Sequence, residues 1–158
     1  MGRPKNSIVN HKTIDLFDVI VTNPPFGSKI PINDQQILEQ FDLAHSWVKD
    51  QHGNWLMNST KLRGSVPPEQ IFIERIVQLL RPGGRAAIVL PDSIFSSPGL
   101  EFIRIWLMRH THIIASIDLH ADTFQPHNGT QCSILFVVKK TTEELHEEQN
   151  LGFIPDNQ

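Results

Sequence analysis

Hydrophobic positions fall along this chain in short blocks whose spacing switches between two periods. Phe17–Thr22, FDVIVT, is β-branched almost throughout and predicts a short, fully buried strand. Pro24 and Pro25 forbid its continuation, because neither offers an N–H to a ladder. Residues 27–34 read as a loop. Asp34 has the character of an N-cap, and a helix is predicted over 35–48, with Ile37, Leu38, Phe41, Ala44, His45 and Val48 along one face. The polar stretch QHGNWLMNSTKLRGSVPP, residues 51–68, reads as a long connection of the kind that is often functional or mobile.

The clearest helical period follows Pro68, in EQIFIERIVQLL, with Ile71, Phe72, Ile76, Leu79 and Leu80 at helical spacing. Arg81-Pro82-Gly83-Gly84 stops it, placing a cation in the last turn and glycines beyond the end. A second buried strand is predicted over Arg85–Pro91, a helix over Gly99–His110 after the turn signal SSPG, a third strand over His112–Leu119 and a fourth over Cys132–Lys140. Strand, helix, strand, helix, strand is α/β alternation and implies a parallel sheet. The connection between the last two strands holds only about a dozen residues, too short for a helical crossover, so the final strand is predicted to be antiparallel. Residues 1–140 then form the domain. Residues 141–158 form an acidic C-terminal tail, TTEELHEEQN at its start, expected to leave the domain as a helix or a disordered arm.

Composition narrows the class. The 158 residues suit one domain, and 39% hydrophobic with 20% charged residues excludes a disordered or fibrous chain. One cysteine, Cys132, rules out an internal disulfide framework and a Cys-rich zinc site, and points to a reducing, cytoplasmic setting. The start, MGRPKNSIVNHK, has no apolar core and does not read as a secretory signal. No apolar run approaches the ~20 residues that span a membrane. A net charge of −3 argues against an autonomous nucleic-acid binder. The eight histidines carry no carboxylate at metal-ligand spacing. Lys29, Lys61 and Arg63 could reach phosphate from loops, with solvated surface as the plainer role.

Candidate chemistry sits where strands end, since ligands of open α/β sheets lie beyond the carboxyl ends of the parallel strands. Two such ends are polar: Thr22-Asn23-Pro24-Pro25-Phe26 and Leu90-Pro91-Asp92-Ser93. The Asn23 amide offers an acceptor oxygen. The two prolines stiffen the turn and free the carbonyls before them, so Asn23 Oδ1 and the Pro24 carbonyl can both meet one incoming NH₂ group. Phe26 adds a flat apolar face. Together they suit a planar ring with an exocyclic amine, such as adenine or cytosine. Set against this, the prolines could merely end a strand, with Phe26 in the core.

The stretch FDVIVTNPPFG resembles the amino-acceptor motif of amino-group methyltransferases that use S-adenosylmethionine. The run IFIERIVQLLRPGGRAAIVLPDSIF and the closing TFQPHNGTQCSILFVVKK resemble the following elements of N6-adenine DNA methyltransferases, in particular the modification subunit of type I restriction-modification systems. Related NPPY-type motifs also occur in enzymes that methylate RNA guanine or protein glutamine. The resemblance implies a partial Rossmann-like fold and a flipped adenine as substrate. It makes Asn23, Pro24, Pro25 and Phe26 the catalytic turn, with Phe26 as the stacking platform. Phe124 becomes a second base contact, and Pro91 and Asp92 a pocket wall. It implies DNA and the specificity and restriction subunits as partners.

A methyltransferase of this class also needs a cofactor-binding half opened by a Gly-x-Gly turn, and this sequence contains no Gly-x-Gly. The expectation is therefore the substrate-side half only, with the S-adenosylmethionine motif absent. An apolar edge would then be left on the first strand, inviting a homo-oligomer. RNA or protein-amide methylation, and a non-catalytic assembly remnant, remain as alternatives.

Overall fold

The computed structural model describes residues 14–25, 30–124 and 129–151. Its centre is a four-stranded sheet in the order β1-β4-β6-β5, built from β1 (Phe17–Thr22), β4 (Leu80–Pro91), β5 (Thr111–Asp118) and β6 (Cys132–Lys139). β1 pairs parallel with β4, while β6 runs antiparallel to both β4 and β5, so β1, β4 and β5 share one direction. The antiparallel final strand is as expected. Its position between β4 and β5 follows from the short connection, which lets the chain turn back beside β5 without a crossover.

Two amphipathic helices cover one face. α2 (Pro68–Leu79) connects β1 to β4 and α4 (Glu101–His110) connects β4 to β5, with a short α3 (Ser93–Ser96) before it. Ile73, Ile76 and Val77 of α2 meet Ile103, Trp106 and Leu107 of α4 over Ile88, Leu90 and Leu135 of the sheet. Each fully buried aliphatic side chain there contributes about 1.5–3 kcal/mol. β4 begins earlier than its sequence suggests, at Leu80, and bulges where Gly83 adopts φ +78°. Gly84 beside it is required by space, since a Cβ there would come within 2.8 Å of the Arg81 carbonyl oxygen.

The expectation that β1 is fully buried is not met. Val19 is 62% exposed and Val21 78% exposed, because β1 is the sheet's edge and no described element covers its outward face. The edge is nonetheless anchored at its start. Buried Lys139 Nζ donates to the Leu80 carbonyl (2.6 Å) and to Asp15 Oδ1 (3.0 Å), and Ile14 N–H to the Gln78 carbonyl (2.9 Å).

Residues 35–68 depart furthest from the sequence reading. Asp34 caps a helix as expected, accepting from Gln36 N–H (2.9 Å) and Ile37 N–H (3.2 Å), but that helix, α1, ends at Leu38. Residues 42–44 form a 3₁₀ turn, and His45–Lys49 is a strand, β2, paired antiparallel with β3 (Trp55–Leu62). The long polar connection is therefore mostly a hairpin. Its cause is tertiary: fully buried Glu74 on α2 accepts from the N–H groups of Asp42 (3.0 Å) and Leu43 (2.9 Å), diverting them from helical bonding. Trp47 and Trp55 then pack on Phe102 of α4, placing the hairpin over the helical layer.

The acidic tail begins as a helix, α5 (Thr142–Asn150), opened by a capping box between Thr141 and Glu144. It is tied back by His112 Nε2 to Glu144 Oε1 (3.0 Å) and Lys140 Nζ to Glu148 (2.8 Å).

Two outcomes test these contacts. Glu74→Ala leaves two backbone donors buried without their acceptor and is expected to cost about 3 kcal/mol in urea unfolding, with Glu74→Gln milder. An unchanged midpoint in the alanine variant would overturn the role of Glu74. The second concerns pH. The Thr141 N–H, then His112, hold Glu144 below the usual carboxylate range. A depressed folded-state value gives a contribution complete above the ordinary range and lost as pH falls through the lowered one. The protection of α5 amides, measured against their intrinsic exchange rates, should therefore fall once the pH is below the ordinary carboxylate range, before the sheet opens.

Candidate active site

The carboxyl ends of β1, β4 and β5 lie at one edge of the sheet. β1 stops with Thr22 opposite Ile88, while β4 runs on to Pro91, so the Asn23-Pro24-Pro25 turn lies beside the last residues of β4. Asn23 and Pro25 are exposed and Pro24 is buried between them. A buried proline fixes the turn and leaves the residue before it, Asn23, at the surface. Phe26 and Lys29 lie outside the described residues.

At the end of β4, Pro91 is buried opposite Cys132 of β6, and Asp92 is half-buried. The Asp92 N–H donates to the Gln131 carbonyl (3.0 Å), and its own carbonyl accepts from Phe95 and Ser96 of α3 (3.0 Å each). Its carboxylate Oδ1 lies 2.7 Å from Ser133 Oγ, which also stands 3.0 Å from Asp118 Oδ1 at the end of β5. A hydroxyl has one proton, so Ser133 donates to one carboxylate at a time. The two strand-end acids are thus held on either side of a single buried donor. Phe124 is half-buried in the turn after β5, where Thr123 N–H closes on the His120 carbonyl (2.9 Å).

The structure brings Pro91, Asp92 and the Phe124 turn together through β6, with Asn23–Pro25 on the neighbouring strand. Sequence reasoning did not single out Ser133 or Asp118. Asp118 had a usable signal, since it ends a parallel strand at the same edge as Asp92. Ser133 had none, because its position depends on β6 lying between β4 and β5.

Other candidates find structural roles. Arg63 is not on a mobile loop: it donates to the Leu43 carbonyl (3.1 Å) and Gln70 Oε1 (2.7 Å), and burial lowers its pKa. Lys61 is exposed. His110 is buried, stacks on Trp106 (4.2 Å) and bonds its Nδ1 with the Trp106 carbonyl. Among the described residues no group of His, Cys, Asp and Glu could hold a metal ion.

A family model for N-6 DNA methylases matches residues 3–158. The chain belongs to the N-6 DNA methylase family. This bears out the resemblance carried by NPPFG and RPGGRAAIVLPDSIF. Its relatives include the type I restriction enzyme StySJI methylase subunit of Salmonella typhimurium, 28% identical over 84% of this chain and 21% of that protein. They also include the EcoKI methylase subunit of Escherichia coli, 27% identical over the same shares. The chain spans about a fifth of the length of these curated relatives. The crystal structure of the EcoKI M protein covers 90% of this chain at 25% identity, with a TM-score of 0.55 and 24% of its own length matched. A Listeria monocytogenes protein described as a class I S-adenosylmethionine-dependent methyltransferase shares the fold, with a TM-score of 0.63 over 82% of this chain and 34% of its own, at 21% identity. The N-6 DNA methylase fold thus accounts for the α/β sheet, of which the described elements form part.

The edge has a built-in reporter. Burial, and after it the Asp92 carboxylate, push the Cys132 thiol above its ordinary range. Alkylation of Cys132 by iodoacetamide should be slow at pH 8 in the folded chain and rise only at more alkaline pH. Asp92→Asn should move that onset down. An identical pH profile in the variant would show that Asp92 does not face the β6 end.

Proposed function

We propose that this chain is the acceptor side of an N6-adenine DNA methyltransferase of the type I modification-subunit kind. The observation that carries the reading is the exposed Asn23 amide on a proline-stiffened turn at the carboxyl end of β1, beside the Asp92 end of β4. Family membership supports it.

An adenine inside a duplex is out of reach, and flipping it out costs a few kcal/mol. Stacking returns about 1–3 kcal/mol per base, with Phe26 as the platform and Phe124 as a second contact. Asn23 Oδ1 and the Pro24 carbonyl accept the two N6 hydrogens. These acceptors would pull the nitrogen lone pair out of ring conjugation and orient it for attack on the methyl group to be transferred. Their advantage is that they are fixed before the base arrives. Pro91 and Asp92 form the wall beside the ring, and Ser133 keeps the Asp92 carboxylate in place.

S-adenosylmethionine is the methyl donor of this reading, and the described residues do not by themselves fit it. β1 is an edge strand with Val19 and Val21 open, so no described element stands beyond Asn23 to enclose a donor. A cofactor-binding half must come from elsewhere, in the same longer protein or a partner chain. The further partners of the proposal are DNA and the specificity and restriction subunits, in a cytoplasmic setting. The open β1 edge also favours a homo-oligomer of the isolated chain. A stable monomer by light scattering at micromolar concentration would exclude that.

The acceptor role is tested by titrating the chain with a short single-stranded DNA bearing one adenine, against the same strand bearing N6,N6-dimethyladenine. Removing both N–H donors should weaken binding roughly thirtyfold, as expected for two net hydrogen bonds of about 1 kcal/mol each. Asn23→Ala removes one of the two acceptors and should show a smaller loss and a reduced discrimination between the two strands. Equal affinities for wild type would overturn the assignment. Titration calorimetry of the isolated chain with S-adenosylmethionine should show weak binding or none, and micromolar affinity would overturn the split between acceptor and donor halves.

A further inference from the structure

Ala86, Ile88, Leu135 and Val137 join the core beneath α2 and α4, so the residues alternating with them point to the other face of the sheet. That face is laid out in rows across the strands. Arg85 of β4 stands between Val19 of β1 and Val138 of β6. Toward the carboxyl edge follow Val21 and Phe136, then Ile134 and Ile117. Val21 is 78% exposed and Ile117 51% exposed. Four strands about 4.8 Å apart and three rows about 6.8 Å apart span roughly 400 Å². A continuous apolar patch of that size marks an interaction surface.

One charge in this apolar face has no partner. Arg85 is exposed, and among the described residues its guanidinium makes no hydrogen bond, ion pair or ring contact. By contrast, Arg81 is paired with Asp18 (3.1 Å), and His112, which continues the Arg85 row on β5, is held by Glu144 Oε1 (3.0 Å). No carboxylate stands in the three rows. This works against a second copy stacked face to face. With the rows in the same order, two Arg85 side chains oppose each other. With the order reversed, each meets Ile134 and Ile117 and is buried without a counter-ion. The chain's own ends fit no better. Residues 1–13 hold Arg3, Lys5 and Lys12 and no carboxylate. Residues 152–158 hold Asp156, but they continue from Leu151, which shares a groove with Trp55 and Met108 on the helical side. The parallel pair β1 and β4 is apolar on both faces, the pattern of strands covered by helices on both sides.

We infer that this face seats a helix of a partner polypeptide, whose aliphatic stripe covers Val21, Phe136 and Ile117 and whose one carboxylate pairs with Arg85. The apolar contact supplies area but no direction. The ion pair, at the amino end of the face, fixes which way the helix lies and excludes partners with a cation there. None of these residues belongs to the Asn23 or Asp92 turns, so the inference stands apart from the acceptor reading.

The test uses the full chain with methyl-labelled isoleucine and valine and a synthetic helical peptide with leucine at i, i+4 and i+7 and glutamate at i+3. The Ile117, Ile134 and Val21 methyl signals should shift saturably, while Ile88 on the covered face stays still. Replacing the peptide's glutamate by lysine should weaken binding roughly tenfold, and so should Arg85→Glu in the chain. Combining the two reversals should restore it, a result that general loss of folding cannot produce. Arg85→Gln should give an intermediate loss. Equal affinity of the glutamate and lysine peptides would overturn the inference, as would absence of shifts at Ile117 and Ile134 or a failed restoration. Without peptide, these signals should not depend on protein concentration, and removal of residues 152–158 should leave the affinity unchanged. Concentration-dependent shifts at the face would make the occupant a second copy, and a marked gain on removal would make it the chain's own tail; either would overturn the partner assignment.

Discussion

Both crossovers of this sheet run in the same direction, from β1 to β4 and from β4 to β5, and a crossover of fixed hand sends its helix to a fixed face. α2 and α4 therefore lie on one side and share one core with Ile88, Leu90 and Leu135. The opposite side keeps its apolar character without a described covering layer. Val19, Val21 and Ile117 remain more than half exposed, although their sequence is that of interior strands. Doubly wound sheets bury both faces by winding in two directions. Only one winding is present among the described elements.

The same constraint builds the candidate site. Parallel strands bring their carboxyl ends to one edge, so turns far apart in sequence, at Asn23, Asp92 and Asp118, come to the same edge of the sheet. β6 enters the sheet in the opposite sense and delivers the beginning of a strand to that edge. This is why Ser133 can stand between two strand-end carboxylates, and why Cys132 feels Asp92. The antiparallel insertion is thus both a topological device and the link between the two acidic ends. The edge strand that carries Asn23 is anchored at its start by Lys139 of β6, across β4. β6 therefore supports both ends of the arrangement.

Much of this was legible because the signals were local. Prolines at 24 and 25 end a strand wherever it lies and Asp34 caps the turn that follows it, whereas α2 stops at Leu79 and the Pro-Gly-Gly run expected to end it lies within β4. The short link before Cys132 disclosed the antiparallel strand. The reading failed at residues 35–49, where Ile37, Leu38, Phe41, Ala44 and Val48 imitate a helical stripe. A single buried carboxylate, Glu74, more than thirty residues away, takes the N–H groups that such a helix would have used. The hairpin that follows went unseen for the same reason: its tryptophans are placed by Phe102 of α4, not by their own neighbours.

The sequence by itself determined the α/β alternation and the strand-ending turns, since these follow from hydrophobic period and from which residues can donate a hydrogen bond and which cannot. Only the tertiary structure decided that β1 is an exposed edge, that Ser133 bridges Asp92 and Asp118, and that α5 folds back beside α4. Each of these depends on which strands become neighbours, and pairing between distant segments is set by the packing of the whole sheet and its helices.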